Sequence, residues 1–159
     1  MKTETPERYF FKYAFPCAFL KLERKEITKK EYDEMEKKFC NGDSINKKNL
    51  ERIFEPAFRR IKLLSERMKK DYWNINAIKE YWLNEHNKLI DKNDSGWAEQ
   101  TGRFKDLCKI HKAEIIEEKA NSIVVKYGSR KREVYNVLVP DAKKGDTVTI
   151  HFSYAIEKV

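Results

Sequence analysis

The groups in this 159-residue chain best able to bind a metal or act as nucleophiles are Cys17, Cys40 and Cys108, with His86, His111 and His151. No two cysteines form a C-x-x-C pair, so no local metal motif or ordinary iron–sulfur spacing is encoded. Cys108 is followed by Lys109, His111 and Lys112, whose positive charge favours the thiolate, the reactive form of the side chain. Residue type alone reads such a cysteine as a small apolar group buried at a domain junction. His151 belongs to the set Thr147, Thr149, His151, Ser153 and Ala155, polar except for the alanine, which alternates with Val148, Ile150, Phe152, Tyr154 and Ile156. That period of two predicts one strand with a core face and an exposed imidazole.

The remaining thiol and imidazole candidates have structural readings beside them. Glu85 and His86 are adjacent, so on a helix they point about 100° apart and form no H-E-x-x-H zinc face. His86 follows Trp82 by one turn and reads as a stacking or interface residue. Cys17 stands in F-P-C-A-F-L beside a kinking proline and reads as core, although a kink can also expose a thiol. His86, His111 and Cys17 are accessory candidates. Arg130, Lys131 and Arg132 lie at the tip of an expected hairpin and are the candidate phosphate contacts of a nucleic-acid module. Tyr127 and Tyr135 would be its stacking platforms, because Phe152 and Tyr154 fall in the core register.

These residues need elements to hold them, and the hydrophobic period supplies two kinds. Over the first ninety or so residues it is helical. The first helix is expected from Pro6 to Arg24 with a kink at Pro16, and the second from the Thr28/Glu31 capping box to Phe39, ending near Gly42. The third starts near Asn46, with a bend at Pro56, and the fourth runs from Asn74 to Ile90. Asp, Asn, Ser and Gly then crowd into DKNDSGWAEQTGRFKD, which reads as a linker. Beyond it the period becomes two, with turns at Tyr127-Gly128-Ser129 and Lys144-Gly145-Asp146, and five short strands are expected. The fold class is α+β: a helical domain over 1–92, a linker over 93–106, and a small OB-like antiparallel β-barrel over 107–159.

Composition narrows the function classes. The hydrophobic fraction of 40% with 13% aromatics suffices for a core, and 34 Lys and Arg against 26 Asp and Glu give +8. Charge of both signs is spread along the chain, which favours solubility and acidic partners without specifying nucleic acid. An odd number of unpaired cysteines points to a reducing compartment, and Lys12, Pro16 and Lys21 interrupt the aromatic run near the N-terminus, so no signal or membrane span is read there. The cytoplasm is the expected location. No catalytic dyad or triad, phosphate loop or local metal motif argues for an enzyme.

The final third carries four blocks in order: CKIHKAEIIE, SIVVKYGSRKREV, LVPDAKKGD and TVTIHFSYAIEKV. Together they resemble the HypC/HupF family of hydrogenase-maturation chaperones. There an opening C-x-x-x-P-G-x-V-V-E leads to a hairpin D-F-G-G-x-x-R-E-V, an L-V-P-D-x-x-x-G-D turn and a closing V-x-V-H-x-G-F-A-I strand. The resemblance implies a chaperone or metal-centre delivery protein that handles iron transiently with a protein partner, either a maturation scaffold or a client metalloenzyme. It implies that Cys108 and His151 are the residues that bind the metal centre. Thiolate and imidazole form a sensible partial ligand set for iron or zinc, which a partner or small ligands must complete. This sequence departs from the pattern at Lys112-Ala113 and Ser153-Tyr154, and its cysteine is internal. The alternatives are a basic OB-like module for RNA or single-stranded DNA, and a protein-interaction adaptor without metal chemistry.

Overall fold

In the computed structural model, which describes residues 3–93 and 100–159, the change of period becomes a change of architecture. Helices come first and a closed five-stranded barrel follows. The chain divides into two compact units, residues 1–88 and 89–159. Residues 94–99 of the expected linker lie outside the described residues.

Local signals explain where the helices start and stop. Helix α1 (Pro6–Ala14) begins with proline at its first position, where no N–H is missed, and Thr5 caps the Arg8 amide. Pro16 then tightens one turn, Phe15–Cys17, before α2 (Ala18–Glu23), which is the expected kink. Helix α3 (Lys29–Cys40) has both halves of its capping box: Glu31 N donates to Thr28 Oγ1 at 3.1 Å, and Thr28 N donates to Glu31 Oε1 at 3.4 Å. Gly42 follows it at φ +70°.

The expected third helix is two helices, α4 (Lys47–Ile53) and α5 (Glu55–Met68), divided at Phe54 (φ −108°, ψ 38°). The break precedes Pro56 because proline fits only the first turn of a helix, so the chain restarts just ahead of it. The fourth begins under an Asn74 cap as α6 (Ile75–Glu80), widens over Tyr81–Glu85, where the His86 amide reaches the Tyr81 carbonyl, and continues as α7 (His86–Asp91). Phe10, with no exposed surface, centres an aromatic core of this unit. Its ring lies 4.4 Å from Phe58, 5.4 Å from Trp82 and 5.7 Å from Phe54.

The stretch read as a linker also contains a helix, α8 (Gly102–Cys108), whose Thr101 cap accepts from Phe104 N at 3.1 Å. The run of loop-forming residues masked this cap. The strands are β1 (His111–Glu118), β2 (Ser122–Tyr127), β3 (Arg130–Tyr135), β4 (Thr147–His151) and β5 (Tyr154–Lys158), in the order β1-β2-β3-β5-β4 with β4 closing onto β1. The expected all-antiparallel barrel is only partly realised, because β3 and β5 meet in parallel at Tyr135 and Tyr154 while the other pairings are antiparallel. Ala113, Ile115, Ile123, Val125, Val134, Val148 and Ile150 fill the interior.

One strand assignment needs correcting. The expected single strand through Ile156 is a hairpin, β4 and β5 joined at Phe152-Ser153, with Phe152 at φ +51°. Alternation of residue type continues through the turn, so the sequence pattern hides it. Among the described residues no helix is long and apolar enough to cross a membrane.

Candidate functional site

Cys108 is the last residue of α8 and His151 the last of β4. The Phe152 amide donates to the Leu107 carbonyl at 3.1 Å, and the Phe104 and Phe152 rings lie 6.0 Å apart. The end of α8 is therefore anchored on the β4–β5 turn. In β1, His111 stands opposite Ile150, so the chain segments bearing Cys108, His111 and His151 meet at one end of the barrel.

Neither of the two expected metal-centre residues faces solvent. Cys108 is 1% exposed and His151 0%, which overturns the expected exposure of the imidazole. Every residue from Val148 to Phe152 is buried, so both faces of β4 are covered and polar-apolar alternation ceases to report solvent. The positive surroundings expected for the thiol are also altered. Lys109 is ion-paired with Asp91, and burial holds the His111 imidazole below its ordinary pKa, partly opposed by Asp106. Among the described residues no group of three His, Cys, Asp or Glu side chains is placed to hold a metal.

Burial also argues against Cys108 as the reactive thiol that its basic neighbours suggest. Cys17 lies in the tight turn with its sulfur 3.2 Å from the Ala14 carbonyl, and burial pushes its pKa up to about 11 despite Lys21 and Arg24. Cys40 is the exposed cysteine of the three, although partial burial and Glu36 raise its pKa. Limited alkylation of the native protein, mapped by mass spectrometry, should label Cys40 first and Cys108 only as the fold opens. Early labelling of Cys108 would mean that α8 leaves the barrel readily.

The other accessory candidate, His86, is 8% exposed and lies in the helical unit, with its ring 5.2 Å from Trp82 and 6.1 Å from Tyr81. It is a packed aromatic-core residue, as its spacing from Trp82 suggested.

His111, Tyr127, Arg130 and Arg132, each named singly from the sequence, form with Asp106 a group that their spacing did not reveal. On β1, β2 and β3 the core residues Ala113, Val125 and Val134 fix which parity points inward, and His111, Tyr127, Arg130 and Arg132 share that parity. They crowd the same barrel end as α8, which contributes Asp106. Tyr127 Oη donates to Asp106 Oδ2 at 2.7 Å, and Arg130 Nη1 donates to the same oxygen at 3.3 Å. His111 Nε2 lies 3.0 Å from the Asp106 carbonyl oxygen and 3.1 Å from Oδ1. Two acceptors at one ring nitrogen place the proton there. The His111 and Tyr127 rings stack at 4.3 Å, and the Arg132 guanidinium lies 5.4 Å from the Tyr127 ring centre.

The basic hairpin is thus divided by strand parity. Lys131 faces outward and exposed, while Arg130 and Arg132 turn toward the mouth of the barrel. The spacing R-x-R-x-V carried that signal, since residues two apart share a strand face. Tyr127, expected as a stacking platform, is occupied by His111 and Asp106. Tyr135 is 55% exposed and its ring lies 5.7 Å from that of Tyr154.

The chain matches no protein-family model and no curated protein sequence.

Proposed function

We propose that this protein is an accessory factor of metalloenzyme assembly, resembling the HypC/HupF chaperones, and that the α8 end of an OB-like barrel hands over or receives a metal centre. The observation that carries the reading is the 3.1 Å bond between Phe152 N and Leu107 O, which joins the helix end bearing Cys108 to the turn following His151. A barrel of strand order β1-β2-β3-β5-β4 supports the OB-like assignment. Because both side chains are buried, transfer requires the end of α8 to lift. The metal centre is then cargo, held through the Cys108 thiolate and the His151 imidazole, with a partner completing its ligands.

Anaerobic titration of the full chain with Co(II) tests this, since thiolate coordination gives a near-ultraviolet charge-transfer band. Cys108→Ala should abolish the band, His151→Ala should weaken it, and Cys40→Ala should leave it intact. A band that survives Cys108→Ala would refute the assignment.

A second reading, an OB-like module for RNA or single-stranded DNA, draws support from the outer face of β2 and β3. Lys126 and Lys131 stand opposite each other there, and the Tyr135/Tyr154 pair lies farther along. Glu133 intrudes between them, tied to Ser122 and Lys119. Binding of unrelated oligonucleotides that weakens steeply with salt would favour this module over the accessory factor.

A further inference from the structure

The Asp106 cluster has more donor capacity than one carboxylate can use. Tyr127, Arg130 and His111 already converge on Asp106. Arg132 Nε, Nη1 and Nη2 are buried as well, and among the described residues none of them donates a hydrogen bond. A buried guanidinium is costly to leave without acceptors, and the face of one tyrosine ring offsets only part of that cost. The planar fork of arginine matches a carboxylate or another oxyanion in two-point geometry. The charges also favour an anion even with His111 held toward its neutral form, because Arg130 and Arg132 face one Asp106.

We propose that Arg130, Arg132, Tyr127 and His111 form a carboxylate receptor at the barrel mouth, occupied in this state by the chain's own Asp106, and that an acidic side chain of a protein partner takes it in competition with Asp106. Asp106 is two residues before Cys108 on α8, so displacing it loosens the helix end that buries the thiol. The chain's acid acts as a plug. An external acid must compete with a group tethered at high effective concentration, so the receptor answers a partner docked alongside and ignores dilute free acids. Side-chain exposures of 19% for Asp106 and 58% for Arg130 leave the exchange a solvent-facing route. The proposal deepens the accessory-factor reading by naming what uncovers Cys108, but its main readout is independent of any metal.

Full-length protein labelled with ¹⁵N would be titrated with an N-acetylated Asp-Glu peptide at fixed ionic strength, following the arginine Nε–H resonances. In Asp106→Asn the Arg132 and Arg130 signals should shift and saturate. Wild type should need at least about tenfold more peptide, the margin set by intramolecular competition. Adding Arg132→Gln to Asp106→Asn should abolish saturation, and Cys108 in Asp106→Asn should be alkylated about tenfold faster than in wild type, tracking the population of the opened helix end. Absence of saturation in Asp106→Asn, or saturation unchanged by Arg132→Gln, overturns the receptor. Tighter binding of inorganic phosphate than of the peptide overturns its carboxylate preference and points to nucleic-acid phosphate. Should Asp106→Asn fail to fold, Tyr127→Phe removes one donor to the plug and should shift the same resonances and alkylation rate in the same directions; no change in either overturns the proposal. A metal titration that fails while the arginine shifts persist counts against the accessory-factor reading alone.

Discussion

Replacing Phe10 with alanine should destabilise the helical unit by about 3–5 kcal/mol, the range for removing a fully buried aromatic ring from a core that cannot collapse onto the gap. Phe10 has no exposed surface and meets Phe54, Phe58, Trp73 and Trp82. One truncation therefore removes the edge and face contacts that join α1 to the segments bearing those rings. Urea unfolding followed by helical circular dichroism measures the loss. Leu63, 60% exposed, is the control, and Leu63→Ala should change stability by no more than about 0.5 kcal/mol. Similar losses at the two positions would mean that the aromatic cluster does not hold the helices together.

Acid should weaken the same unit through His86. Burial lowers its pKa to about 4, a shift to which Arg60 adds and which the Asn87 side chain, 3.4 Å from Nδ1, opposes. An unfolded histidine titrates near its ordinary value of about 6.5. Above that value neither state binds the proton and stability is full. As pH falls below it the unfolded chain takes the proton first, so stability drops progressively until the folded pKa is reached. The loss should total on the order of 3 kcal/mol, with about 2 kcal/mol of it falling between pH 6.5 and 5, before most carboxylates titrate. Denaturant melts at closely spaced pH values, compared with His86→Gln, isolate this contribution. Parallel curves for variant and wild type would show that His86 is not protonated on unfolding.

The readability of the fold tracked how local its causes were. The Thr28/Glu31 capping box, the Pro16 kink and the glycine turns act over a few residues, and each stands where its residue types put it. Turns that depend on the rest of the barrel were hidden: alternation ran through Phe152-Ser153, and only pairing of β4 with both β1 and β5 shows where the strand ends. Burial of His151 likewise depends on what covers the outer face of β4, which no spacing reports. Asp106 was obscured by its composition-poor surroundings. It matters only because α8 brings it to residues that lie at least five positions away in sequence.

Closure of the barrel also limits how other chains can meet the second unit. An unpaired strand margin offers a row of amides and carbonyls that any extended peptide can extend. Here β1, β2 and β4 have neighbours on both sides, and the join between β3 and β5 rests on the single pair Tyr135 and Tyr154. Main-chain addition to these strands is therefore confined to that seam. Elsewhere on the barrel a visitor must be recognised through side chains, and the strands themselves provide little foothold for the sheet-to-sheet growth that begins fibrils.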